Sequence, residues 1–137
     1  MKVGTWLTLI GILALMLAGC KSAPVNDVEW SWLTDVEGTP ILTSTHNYTL
    51  DDVRDAIQQA GVSLGWQMRG VRPGLIIGTL TVRKHMAQVE IPYDRKSYSI
   101  VYRDSQNLNY DGVNIHRTYN GWIKRLNDAI KVQLSRL

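Results

Sequence analysis

The chain has little with which to cross-link itself. One cysteine, Cys20, stands among 137 residues, so no disulfide can form within the molecule and the folded part must be held by its core. A surplus of charge is missing as well. Removing residues 1–19 takes away Lys2 and no acid, leaving 14 Lys+Arg against 12 Asp+Glu. A balance that small, without a block of basic residues, excludes nucleic acid as the expected partner. No apolar run reaches the roughly 20 residues that a membrane-spanning helix needs. A nucleotide-binding glycine loop, an internal repeat and a low-complexity segment are absent too. Phenylalanine is missing altogether, and the ring area comes from six Tyr and five Trp, each with a polar tip.

What is present starts at the N-terminus. Lys2 precedes an uncharged stretch over residues 3–18, too short to span a bilayer and of the length of a signal-peptide hydrophobic region. Leu17-Ala18-Gly19-Cys20 follows and resembles the lipobox of bacterial lipoproteins at all four positions. The resemblance implies that residues 1–19 are a signal peptide removed by cleavage and that the Cys20 thiol is the lipid attachment site, detectable with palmitate. At about 0.8 kcal/mol per buried methylene, two or three acyl chains hold a protein on a membrane durably. Lys21, where an aspartate would retain the protein at the inner membrane, is similar to the enterobacterial pattern for outer-membrane lipoproteins facing the periplasm. Residues 20–40 read as a lipid-anchored tether, aperiodic over 21–29. Trp30 and Trp32 in it serve equally as interfacial anchors or as edge packing. Residues 41–137 read as the globular domain.

Within that domain the spacing predicts α-β-β-β-β-α. Thr49 can cap a first helix, with Asp52 three residues on and Asp51 beside it at the positive end of the dipole. Leu50, Val53, Ile57 and Ala60 share a face, and Gly61 ends the helix. Period-two alternation then predicts strands over 62–69 (Val62, Leu64, Trp66, Met68), 75–83 (Ile76, Gly78, Leu80, Val82), 85–93 (Ala87, Val89, Ile91, Tyr93) and 97–103 (Tyr98, Ile100, Tyr102). Arg72-Pro73-Gly74 and Asp94-Arg95-Lys96 are turns between them. A polar loop over 104–112 leads to a long helix capped by Asn114, with Ile115, Tyr119, Trp122, Leu126, Ala129 and Ile130 as its apolar stripe. One-faced strands and amphipathic helices can bury their apolar sides only against each other. The expected fold is therefore α+β: a four-stranded antiparallel meander with two helices packed on one face, a two-layer sandwich.

Several segments in order resemble a family of small bacterial envelope lipoproteins. They are the lipobox, Gly65-Trp66, Ile91-Pro92-Tyr93, Tyr98-Ser99-Ile100-Val101-Tyr102, Asp104-Ser105 with Asn107-Leu108, and Ile115-His116 through Tyr119-Asn120 to Trp122-Ile123. The resemblance implies an envelope lipoprotein with an α+β domain and carries over no catalytic residue. In layout the domain is also similar to helix-grip modules of outer-membrane assembly lipoproteins, a likeness of shape rather than of motif.

The residues offer little chemistry of their own. His46, His85 and His116 lie in different elements without a second ligand at metal spacing, so no metal and no cofactor are expected. Ser105, His116 and Asp104 or Asp111 are the residue types of a triad, but no strained nucleophile turn accompanies them. No catalytic residue is assigned, and the expected role is non-enzymatic: a lipid-tethered interaction module that contacts another envelope protein or anionic lipid. Two surfaces are candidates. The meander puts its first and third hairpins at one end, gathering Arg69, Arg72, Arg95 and Lys96 with only Asp94 opposing them as an anionic-contact patch. Trp66, Tyr98, Tyr102, Tyr119 and Trp122 form either the core or an aromatic groove between helix and sheet for a small ligand, lipid or glycan. Nothing in the residues names the oligomeric state.

Overall fold

A computed structural model describes residues 22–32 and 48–137. Cys20, the rest of the leader and His46 lie outside the described residues.

The first helix, α1 (Leu50–Ser63), opens on a complete capping box. Asp52 donates its backbone N–H to Thr49 Oγ1 at 3.2 Å, and Thr49 N–H returns a bond to Asp52 Oδ2 at 2.6 Å. The expected cap is therefore present, and both orphan donors are satisfied. The far end differs from expectation. The helix runs through Gly61 to Ser63, whose hydroxyl donates to the Ala60 carbonyl at 2.7 Å. Gly61 is buried helix rather than a terminator, because a Cβ there would run into the Met68 side chain lying across it. Val62 and Leu64, read as inward strand residues, are exposed in consequence.

Four consecutive strands follow: β3 (Gln67–Arg72), β4 (Leu75–Val82), β5 (His85–Pro92) and β6 (Ser97–Gln106). All neighbours are antiparallel, as the meander requires. Pro73-Gly74 closes the β3–β4 hairpin, with Gly74 at φ 85°. Proline followed by a residue that must take positive φ is the type II turn signature. Register places Ile76 opposite Ile91, Gly78 opposite Val89 and Leu80 opposite Ala87, so one face carries the apolar set. In β6 an irregularity opposite Gln88 and Val89 leaves Arg103 as the extra residue. That bulge returns Ser105, rather than Asp104, to the side of Tyr102, which is why the strand continues three residues past its expected end.

The second helix, α2 (Arg117–Leu134), is preceded by a short strand, β7 (Asn114–His116). Asn114 is therefore not the cap; His116 is, its Nδ1 accepting from Thr118 N–H at 3.2 Å. Tyr119, Trp122, Leu126 and Ile130 are buried as expected, joined by Ile123 and Leu134. Both helices pack on the apolar face of the sheet, and their inward residues share one core with Ile76, Leu80, Val89, Ile91, Tyr98 and Ile100. The other face is not uniformly wet: Ile77, Ser97 and Ser99 are buried on it.

The largest departure lies before the helix. Residues 22–32, read as tether, contain two strands that dock on the domain: β1 (Ser22–Pro24) pairs with β7, and β2 (Val28–Trp32) pairs with β6 as a fifth strand. Polar side chains do not prevent this, because backbone pairing is joined by Val25 and Val28, which pack against the core, and by side-chain hydrogen bonds. Asn120 grips the segment from α2, donating to the Pro24 carbonyl at 2.8 Å and accepting from Asn26 N–H at 2.9 Å. Asp27 accepts from Tyr102 N–H at 2.8 Å.

Candidate functional site

The topology does bring the cationic turn residues to one end of the sheet. Leu75 pairs with Pro92, and Tyr93 N–H donates to the Gly74 carbonyl at 2.9 Å, so the Pro73-Gly74 and Asp94–Lys96 turns are neighbours. Arg72, Arg95 and Lys96 are exposed there. Arg69 is exposed too but stands further along β3, opposite Ile77. Asp94 is occupied by its own turn, its Oδ1 accepting from the N–H groups of Lys96 (2.6 Å) and Ser97 (2.7 Å). It is not the only acid at this end. The first turn of α1 brings Asp51 and its ion-pair partner Arg54 into a cleft of about 220 Å³ with Arg72 and Tyr93. The Arg95 guanidinium lies 5.8 Å from the centre of the Tyr48 ring, within cation–π range. The cations at this end therefore have Asp51, paired with Arg54, as well as Asp94 among them, because the first turn of α1 sits at the end of the sheet where β3 finishes.

The aromatic set divides. Trp66, Tyr98, Tyr119 and Trp122 are buried core residues. Tyr98 satisfies its hydroxyl by donating to Asn127 Oδ1 at 2.6 Å. Tyr102 is half-buried; its ring lies 4.2 Å from Tyr110 and meets Tyr119 edge-on at 5.7 Å, and its hydroxyl is 2.9 Å from Ser105 Oγ. Burial pushes both the Tyr102 and Tyr119 phenols above their ordinary range, and Asp27 adds to the effect at Tyr119. The five rings do not line one groove. Trp66 and Trp122 instead border a pocket of about 250 Å³ between sheet and α2, completed by Leu64, Leu80, Val82 and Arg125. Tyr98, Tyr102 and Tyr119 do not line it.

The residue types of a triad are each committed elsewhere. Ser105 Oγ is taken by Tyr102, His116 Nδ1 caps α2, and Asp104 accepts from Ser105 N–H. Asp111 holds its own turn through the N–H groups of Asn114 (2.7 Å) and Val113 (2.9 Å), which also lower its carboxyl below the usual range. His85 donates from Nδ1 to the Asn107 carbonyl at 2.8 Å. Among the described residues no group of three or more His, Cys, Asp or Glu is placed to hold a metal, and no helix is long and apolar enough to cross a membrane.

One surface escaped the sequence reading. Arg83-Lys84 is the two-residue tip of the β4–β5 hairpin, at the end of the sheet opposite Arg95-Lys96. Arg83 sits at φ 55°, in the left-handed region that glycine or asparagine normally fills. A cationic pair between two apolar strands was the available signal. No family model, no curated protein and no solved structure matches this chain.

Proposed function

We propose that the protein is a lipid-anchored component of the bacterial cell envelope, attached through Cys20 and facing the periplasm from the outer membrane. Its folded part is a non-enzymatic module that contacts another envelope protein. The observation that carries this reading is the single cysteine at the point where an uncharged leader gives way to polar sequence, in Leu17-Ala18-Gly19-Cys20. The commitment of Ser105, His116, Asp104 and Asp111 to local hydrogen bonds supports a module without catalysis. The mixed-sign end around Arg72, Arg95, Lys96 and Asp51 suits a protein surface, where complementary charges of both signs fix orientation and register, better than an anionic membrane.

Metabolic labelling tests the anchor. Cells given radioactive palmitate should label the wild-type protein, while the Cys20→Ser product should be unlabelled and keep residues 1–19. A wild-type protein that takes up no fatty acid refutes the proposal.

The Trp66–Trp122 pocket favours a second reading, a binder of a small apolar ligand with Arg125 at its rim. Native mass spectrometry of protein purified from its own envelope separates the two, since a retained small molecule supports the second.

A further inference from the structure

We propose that the anchored domain rests on its own bilayer by the Arg83-Lys84 end, leaving the Arg72, Arg95 and Lys96 end turned away from the membrane. The inference rests on acylation of Cys20.

Covalent reach comes first. Two peptide links separate Cys20 from Ser22, so their Cα atoms are at most about 7.6 Å apart. Ser22 is fixed in register with His116. His116 N–H donates to the Leu108 carbonyl at 2.8 Å, and the neighbouring Asn107 reaches the hairpin tip by donating to the Lys84 carbonyl at 2.6 Å. An anchor at Cys20 is thereby stitched through β7 and residues 107–108 to the β4–β5 hairpin, with no slack chain between.

The composition of that end fits a lipid surface. The segments that build it, 61–66, 81–86, 107–109 and 116–118, contain no Asp or Glu. They carry Arg83, Lys84 and Arg117, with Arg125 beside them at the pocket rim, all exposed and none in an ion pair among the described residues. Apolar side chains stand among these cations: Val62 is 62 % exposed, and Leu64 and Val82 are each 39 % exposed. Unpaired cations mixed with exposed apolar groups are the chemistry that binds anionic headgroups and the acyl boundary together.

The opposite end is out of range. Along β5, from His85 to Pro92, the sheet spans about 24 Å at roughly 3.4 Å per residue. Screening at physiological salt falls off over about 8 Å, so Arg95 and Lys96 feel little of the leaflet beneath.

The full lipidated protein in phosphatidylethanolamine–phosphatidylglycerol vesicles tests this. With Cys20 acylated, an added cysteine is the only free thiol. Fluorophores on Val62→Cys and Lys84→Cys should be quenched several-fold more strongly by nitroxide-headgroup lipid than one on Lys96→Cys. Reversing Arg83 and Lys84 together to glutamate should bring quenching at Val62→Cys down toward the Lys96→Cys level. Equal quenching at the three sites, the reverse order, or no response to charge reversal overturns the proposed orientation. A mass showing Cys20 unmodified is a separate failure: it removes the anchor, and the orientation with it.

Discussion

Tyr119 and Tyr98 are both fully buried tyrosines whose hydroxyls have opposite fates, and removing each should move stability in opposite directions. Tyr119 is 0 % exposed, and its hydroxyl has no hydrogen-bond partner among the described residues. A buried polar group left unmatched costs about 1–3 kcal/mol on mutational scales. Tyr119→Phe deletes that penalty and keeps the ring that meets Tyr102 edge-on. The void left by one oxygen costs only a few tenths of a kcal/mol at about 24 cal/mol per Å³. The net expectation is a gain of about 1–2 kcal/mol, and at roughly 4–8 °C per kcal/mol for a domain of this size Tm should rise by about 5–15 °C. Tyr98→Phe is the internal control. It removes a 2.6 Å bond to Asn127 and should lose about 1 kcal/mol. Thermal unfolding followed by circular dichroism, with denaturant midpoints at constant m, reads both. A fall in Tm for Tyr119→Phe would refute the reasoning, because it would mean that the hydroxyl is matched in solution.

Arg83→Gly should raise stability by about 1 kcal/mol, since glycine takes φ 55° without the Cβ clash; an unchanged denaturant midpoint would show that the turn is not strained. The capping box and the Asp111 turn each contribute to acid sensitivity. Both Asp52 and Asp111 carry carboxyls lowered from an ordinary value of 3.8, by the Thr49 backbone N–H for Asp52 and by the Asn114 and Val113 N–H groups for Asp111. A lowered folded pKa means that their contribution is present at neutral pH, declines as pH drops below that ordinary value, and is gone once pH passes beneath the folded pKa. Stability of Asp52→Asn plus Asp111→Asn should therefore fall less than wild type between neutral pH and pH 3, and parallel curves would count against it. Asn120→Ala should release residues 22–27, which it holds at both Pro24 and Asn26; hydrogen exchange of the Val25 amide, bonded to the Val113 carbonyl at 3.0 Å, should speed up while the Val89 amide stays protected.

The features of the fold that could be read from the residues are those with local cause. The meander follows from alternation in Ile76–Val82, Ala87–Tyr93 and Tyr98–Tyr102 and from Pro73-Gly74 between strands. The capping box follows from Thr49 and Asp52. What could not be read depends on contacts distant in the chain. β1 and β7 have three residues each, too few to show a period, and Ser22 meets His116 only because α2 and β6 hold both in place. The strand reading of 62–69 held for Gln67–Arg69 and not for 62–66, where α1 runs on to Ser63 because Gly61 packs under Met68, a contact that alternation alone does not show. The candidate surfaces show the same division. The Arg72–Lys96 end was visible from hairpin order, but the Asp51–Arg54 pair that shares it arrives on α1. The Arg83-Lys84 end gains significance only once β1 is known to lie beside it.

The short β1–β7 ribbon also decides how the domain responds to force. A load applied at Ser22 falls first on a strand of three residues and then on the Asn120 bonds to Pro24 and Asn26. Residues 22–27 would peel away first, releasing roughly 20 Å of chain at about 3.3–3.6 Å per residue, while the helices and the five-stranded sheet stay intact. Loss of these few bonds would let the body move away from Ser22 without unfolding.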